Sequence, residues 1–339
     1  MSSFLAVRVR RTKSCVRSRT RPRSNVAATV WVWSAWWWTR AADCSFAQAV
    51  EKVAEHYQIE VSPSTVRVIT ESHGLRLSEE SSGAARMPST GVRLMVAEMD
   101  GSHVPCVEFR AGAGDKRKRR RSCWHEAKLC LARVFGSASV RYAATMKGIT
   151  EAGVMWRTAS IDAGAGRNTR LPCVGDGARS IAAQVKEQFG RQASYLLDFY
   201  HVSEYLAEAG ASIAGAHAQE WLTEKQVWLK ENRAEEVIAE LSRWHEVETV
   251  AEAQAPVRKA FRYLNERREY LDYQSALAEG LPIGSGEIEG GHRSVVQARL
   301  KLSGAWWLKE NAEKMISLRV CRANGEWKSY WQQLRQAHT

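Results

Sequence analysis

Five short runs of apolar, strand-favouring residues lie between Val92 and Leu197, whereas from His201 to about Glu279 the chain has none. The runs are VRLMVAEMDG with its strand over 92–96, then 104–109, 124–134, 171–174 and 194–197. A helical pattern separates the third from the fourth, over about 145–163, and another, Arg179 to Phe189, separates the fourth from the fifth. Strands interleaved with helices predict an α/β domain with a mixed five-stranded sheet flanked by helices. The strand-free stretch, rich in Ala, Glu, Leu and Trp, predicts a large all-α insertion. Leu281-Pro-Ile-Gly-Ser-Gly286 breaks it, and helix resumes from about Glu287 to Leu302 and from Lys309 onward.

The expected organisation is then an atypical segment 1–43, a helical pair 44–76, a Ser-rich linker 77–90, a core from 91–200 and 281–305, the insertion 201–280, and C-terminal helices 306–339. Ser45 with Gln48 forms a capping-box pattern opening a helix through Tyr57, and Ser62-Pro63 starts a second helix that stops at Gly74. Two such helices have the outline of a helix-turn-helix that would offer Ser64, Thr65, Arg67 and Thr70 to a groove; a hairpin packed on the next domain fits the same pattern.

Charge narrows the partners. The net charge is +12, but residues 1–40 hold eight Arg, one Lys and no acid, so they supply +9 and leave +3 for the other 299 residues. A basic, Trp-rich arm suits a polyanion, and an out-of-frame translation of GC-rich DNA would give the same composition. Seven scattered cysteines without a C-x-x-C pair suggest neither a disulfide framework nor a zinc site, and favour a reducing, cytoplasmic compartment. The apolar run Val26 to Trp38 is too short to span a bilayer, which needs about 20 residues. Six consecutive cations, Lys116, Arg117, Lys118, Arg119, Arg120 and Arg121, are read either as a solvated loop or as a grip on phosphates.

The chemistry rests on acids beside glycines. Asp100-Gly101 ends the first run, Gly175-Asp176-Gly177 follows the fourth, and Glu287 and Glu289 follow Gly284-Ser-Gly286. If the first strand is central, Asp100 and Asp176 sit on neighbouring strands with their carboxylates side by side. With a third acid from a helix they would suit two Mg2+ ions about 4 Å apart, which take hard oxygen ligands and leave positions for phosphate and water. An Asp after a strand also commonly caps the next turn. Glu287 and Glu289 point about 200° apart on a helix. Glu289 shares its face with Val296 and is expected to be the inward one.

Five blocks in order, VAEMDGSHVP, WHEAKLCLARVFG, VGDGARSI, LLDFYHVSEYL and GLPIGSGEIEGGHRSVVQARLKLSGAWW, resemble those of ISKra-type insertion-sequence transposases, a DDE group with an RNase H-like core. The resemblance covers about residues 43 to 335. It implies a metal-dependent transposase with Asp100, Asp176 and Glu289 as catalytic, metal-binding carboxylates for two Mg2+ ions, Mn2+ substituting. It further implies His201 and Asp198 as active-site supporters, double-stranded DNA as partner (terminal inverted repeats and target), and a homo-oligomer in the DNA complex. Arg293 and Arg299, with the loop 116–121, are expected to neutralise phosphates, while Trp306 and Trp307 either stack on a flipped base or belong to the core. The first 43 residues match nothing in that family, so a stand-alone RNase H-like nuclease and an inactive DNA-binding remnant are the competing readings.

Overall fold

The computed structural model describes residues 39–80, 85–112 and 114–336; most of the basic, Trp-rich segment lies outside the described residues. Two helices come first, α1 (Phe46–Tyr57) and α2 (Pro63–Glu80). The α1 capping box forms as the sequence predicts: Gln48 N donates to Ser45 Oγ at 3.2 Å and Ser45 N to Gln48 Oε1 at 3.1 Å. The end of α2 differs, since the helix runs through Gly74 to Glu80. A Cβ at Gly74 would stand 2.3 Å from the carbonyl oxygen of Lys314, so this glycine serves a close helix–helix crossing and not a stop. Thr70 is buried and its hydroxyl donates to Val66 O at 2.7 Å, so it cannot face a groove. The pair is a hairpin docked on the body through Ala49, Val53 and Val66.

The strands are β1 (Met95–Phe109), β2 (Arg120–Val134), β3 (Val140–Thr145), β4 (Leu171–Gly175) and β5 (Ala193–Leu197), with helices α3 (Ile149–Asp162) and α4 (Arg179–Phe189) between them. They form one sheet in the order β3-β2-β1-β4-β5. β1, β2 and β3 pair antiparallel, while β4 and β5 run parallel to β1. This is the expected RNase H-like arrangement, a mixed five-stranded sheet flanked by helices.

Two strand expectations need correction. The runs at 92–96 and 104–109 are one continuous strand, β1, because Gly101 and Pro105 stay in register with Lys128 and Trp124. β3 lies between the expected third run and the helical pattern, in residues read as neither; it is a strand because Val140, Tyr142 and Ala144 lie on one face against β2, and the helix begins only after Gly148. Asp100 is therefore not at a strand tip. It lies where β4, the neighbour of β1, ends, and beyond it β1 and β2 continue as a two-stranded arm.

Alternation divides the core. Met95, Ala97, Met99, Cys130 and Ala132 face α3 and α4, with Trp156 donating its indole N–H to Leu131 O at 2.9 Å. Val104, Leu129 and Leu131 face the other way, against α1, α2 and the C-terminal helices α11 (Lys309–Ala323) and α12 (Trp327–Gln336). The strand-free stretch folds as α5 (Phe199–Ala214), α6 (Ala218–Lys230), α7 (Ala234–Trp244), α8 (Pro256–Asn265) and α9 (Tyr273–Ala278), around its own core of Leu206, Leu229, Leu241, Leu264 and Tyr273. Helix α10 (Gly286–Gly291) then returns to the sheet and continues as a π-helical segment, His292–Gln297, with one further turn to Leu300. Among the described residues no helix is long and apolar enough to cross a membrane.

Candidate active site

Register brings the first two acids together. Ala97 pairs with Cys173 and Glu98 with Val174 in the parallel β1–β4 ladder, so continuing that register sets Asp100 beside Asp176. Each carboxylate is tethered through one oxygen: Asp100 Oδ1 accepts from Gly101 N at 2.6 Å, and Asp176 Oδ1 from Ala178 N at 2.9 Å. The Asp100 carboxyl is held above the usual carboxylate range, first by burial and also by the nearby charge of Asp176. Among the described residues neither Asp100 nor Asp176 has an Arg or Lys salt-bridge partner. Lys128 approaches Asp100 but its Nζ is engaged by Glu126 at 2.7 Å.

The all-α insertion fixes the turn bearing Asp176. Tyr263 of α8 donates to Asp176 O at 2.6 Å, Arg267 Nε donates to Gly177 O at 2.7 Å, and Gly177 N donates to Tyr195 Oη at 3.0 Å. The backbone at Asp176 is thus held from three directions while its second carboxylate oxygen stays outside this network.

Helix α10 lies on the opposite flank. It packs flat on the sheet, since a Cβ at Gly291 would come within 2.8 Å of the Tyr142 ring and 3.0 Å of Leu129. Its first turn is anchored by Glu98, whose Oε2 accepts from Ile288 N at 2.8 Å. Burial pushes the Glu98 carboxyl up to about 8. His292, at the start of the π segment, brings Nε2 to 3.4 Å from Asp100 Oδ2. That ring is buried, neither nitrogen has a hydrogen-bond partner, and burial lowers its pKa to about 4, so it is a neutral neighbour of Asp100. Local π geometry of this sort recurs at functional sites.

Glu289 is placed one helical turn before His292, where residues three apart share a face. It is exposed, 3.8 Å from Arg293. The expectation that it points inward with Val296 is not met, because the π-helical residues between them break the seven-residue repeat; Ile288 takes the buried face instead. Glu287 is occupied by a bidentate pair with Arg133, at 2.6 and 2.8 Å. Of the two acids Glu289 has the looser partner, the long, exposed contact with Arg293. Among the described residues Asp100, Asp176 and Glu289 do not fall within 4.8 Å of one another as a group.

The supporting residues have defined positions. Asp198 caps α5, accepting from Tyr200 N at 2.7 Å and His201 N at 3.2 Å, and its other oxygen accepts from Ser285 N at 2.8 Å and from the Ser285 hydroxyl. It positions the Gly-Ser-Gly loop ahead of α10. The His201 side chain turns away from Asp198, to Glu204 at 3.3 Å and edge-on to Tyr205 and Tyr263.

The predicted phosphate contacts divide. Arg293 is exposed beside Glu289. Arg299 is not available: it is buried, its Nε donates to Ala41 O at 2.8 Å, and its guanidinium lies between the rings of Phe46 and Trp307. The cationic loop is not beside the acids either. Lys116 to Arg119 form a 3-10 turn and Arg120 and Arg121 open β2, so they sit at the far end of the arm, nine residues and about 30 Å of strand from the level of Asp100. Arg117, Lys118, Arg120 and Arg121 are exposed there, and Arg119 donates to Arg110 O at 2.9 Å. Trp307 is buried and pairs its backbone with β1, while Trp306 is half exposed, edge-on to the exposed Trp124 and under Arg120.

Sequence reasoning missed His292, Lys128, Glu98 and Lys301, whose Nζ donates to Ser102 Oγ at 2.8 Å. Only the alternation of Glu98, Asp100 and Ser102 along one strand, and the three-residue spacing of Glu289 and His292, could have signalled them.

A model of an uncharacterised protein family, UPF0236, matches residues 39–335. The chain belongs to that family. No curated protein matches this UPF0236 chain. Among solved structures it is similar to the Drosophila P element transposase strand transfer complex, at 10% identity and a TM-score of 0.29, over 94% of this chain and 82% of that one.

Proposed function

We propose that this UPF0236 protein is a metal-dependent DNA-cutting and DNA-joining enzyme, a DDE transposase, with Asp100, Asp176 and Glu289 as its metal-binding carboxylates. The observation that carries the reading is the pairing of Asp100 and Asp176 at the end of the parallel half of an RNase H-like sheet, with no Lys or Arg paired to either among the described residues. Two adjacent, partly buried carboxylates without a counter-cation suit hard divalent cations such as Mg2+, and Mn2+ in its place. The finer likeness, to ISKra-type transposases, is supported by the five sequence blocks.

In this reading Asp100 and Asp176 would hold metal between the strands, and Glu289 would complete the set from α10. The bound Mg2+ would supply Lewis-acid activation of the attacking water or 3′-hydroxyl and stabilise the leaving oxygen. Arg293 and Lys301, beside Glu289 and Ser102, would receive phosphates flanking the scissile one. His292, with Nε2 3.4 Å from Asp100 Oδ2, would contact that carboxylate from its inner side. Double-stranded DNA is the substrate, its terminal repeats and target being the two duplexes joined, and a homo-oligomer would bring two ends together.

The test is cleavage of a labelled duplex carrying the element's own end, with Mg2+ or Mn2+, by the protein and by Asp176→Ala and Glu289→Ala. Specific nicking lost in both variants is the expected result. Binding without nicking in either metal would overturn the enzyme and leave a DNA-binding remnant.

A further inference from the structure

The arm formed by β1 and β2 beyond Asp100 carries a second cluster of ligating side chains. Cys106 pairs with Cys123, Val104 with His125 and Glu108 with Arg121 across the two strands. Side chains alternate along a strand, so Glu108, Cys123 and His125 stand on one face of the ribbon. His125 Nε2 lies 3.0 Å from Glu108 Oε1. One ligand atom from each of Glu108, Cys123 and His125 falls within 4.8 Å of the others, and among the described residues no other three His, Cys, Asp or Glu side chains do so.

We propose that Glu108, Cys123 and His125 form a site for a zinc-type divalent cation, held by one thiolate, one imidazole and one carboxylate, with a fourth position open to water. The donor set selects the metal: sulfur and nitrogen suit Zn2+ or Co2+ and disfavour Mg2+. The site is separate from the acids of the candidate active site, since Glu108 is eight residues from Asp100 along the same strand, about 26 Å. Binding releases the Cys123 thiol proton to solvent and replaces the His125–Glu108 hydrogen bond, with no change of oxidation state.

The location gives the cation a structural task. A two-stranded ribbon is marginal by itself; past the ends of β3 and β4 the arm buries Val104 and Cys106 in the core and pairs its backbone with Trp307 at Pro105 and Val107, but its outer end, with Glu108 and residues 120–122, is exposed. A cation joining β1 to β2 there would brace the end that bears the cationic turn and the Trp124–Trp306 pair.

The test uses the full chain, reduced and stripped with a chelator, titrated with Co2+ and then Zn2+. A saturable tetrahedral Co2+ spectrum with a thiolate-to-cobalt charge-transfer band, bleached by Zn2+ and not by Mg2+, is expected. Cys123→Ser should abolish the band and His125→Ala weaken binding by more than about tenfold, the loss that even outer-shell changes cause. Asp176→Ala should bind Co2+ with the same spectrum, which separates this site from the proposed catalytic one. As a readout on the unaltered protein, Zn2+ should protect Cys123 from alkylation, mapped by mass spectrometry, while Cys44 stays reactive. A spectrum lacking the thiolate band, a Cys123→Ser protein that still shows it, or unprotected Cys123 would each overturn the site.

Discussion

Asp198 at the start of α5 and Ser285 ahead of α10 are joined through one carboxylate, which accepts both the backbone N–H and the hydroxyl of Ser285. Its other oxygen caps α5. The two ends of the all-α insertion are thereby closed on each other, and the entry angle of α10, hence of Glu289, is set by a residue that need not touch substrate. Asp198→Ala removes the cap and leaves the buried Ser285 N–H unsatisfied. A loss of about 2–4 kcal/mol in urea unfolding is expected. Asp198→Asn, which can keep an acceptor, should recover part of it; equal losses in the two variants would contradict a positioning role.

Asp176→Asn removes a like charge from beside Asp100. Without metal the variant should melt no lower than the parent protein, because the pair is repulsive. Added Mg2+ should raise the melting temperature of the parent and leave that of the variant unchanged. Thermal melts with and without Mg2+ read both effects, and an equal Mg2+ shift in the variant would remove Asp176 from the ligand set.

Gly74→Ala places a methyl against the Lys314 carbonyl. The helices α2 and α11 must separate, and a destabilisation of about 1–3 kcal/mol is expected despite the better helix propensity of Ala. Denaturant unfolding checks it, and a stabilised variant would place Gly74 at an ordinary exposed helix position.

His73 of α2 is pushed down to about 3, first by burial and then by Arg76, and its ring nitrogen lies 2.7 Å from the Tyr330 hydroxyl. The unfolded chain, with an ordinary His near 6.5, binds this proton more readily than the folded one over roughly pH 3 to 6.5. The neutral ring's contribution is therefore complete above about pH 6.5 and is lost as pH falls toward 3. His73→Phe should flatten this part of the stability–pH curve, measured by urea unfolding at pH 4, 5.5 and 7.

Arg293→Ala and Arg299→Ala should separate binding from stability. Arg299→Ala is expected to cost about 2–3 kcal/mol through the lost bond to Ala41 O and ring contacts. Arg293→Ala should leave the melting temperature unchanged and make the salt dependence of DNA binding shallower by about 0.9 in slope. The reverse pattern would show that exposure misassigned the two arginines.

Strands β2, β4 and β5, the helices α3 and α4, the strand-free insertion and the α1 capping box were legible in the sequence by itself; the continuity of β1 and the existence of β3 were not. Each legible feature is a local matter: strand and helix periodicity, a Pro-Gly break at 281–286, a side chain bonding three residues on. The nearness of Asp100 and Asp176 was legible too, given a central first strand. What local pattern cannot encode is which partner a segment meets. Gly74 reads as a helix stop until Lys314 lies across it, and Arg299 reads as a phosphate ligand until Ala41, Phe46 and Trp307 enclose it. The cations of 116–121 adjoin Asp100 in sequence terms, yet an unbroken 15-residue strand carries them about 30 Å away. Tertiary structure alone decided these, because burial, helix crossing and the π-helical break after α10 depend on residues up to 258 positions apart.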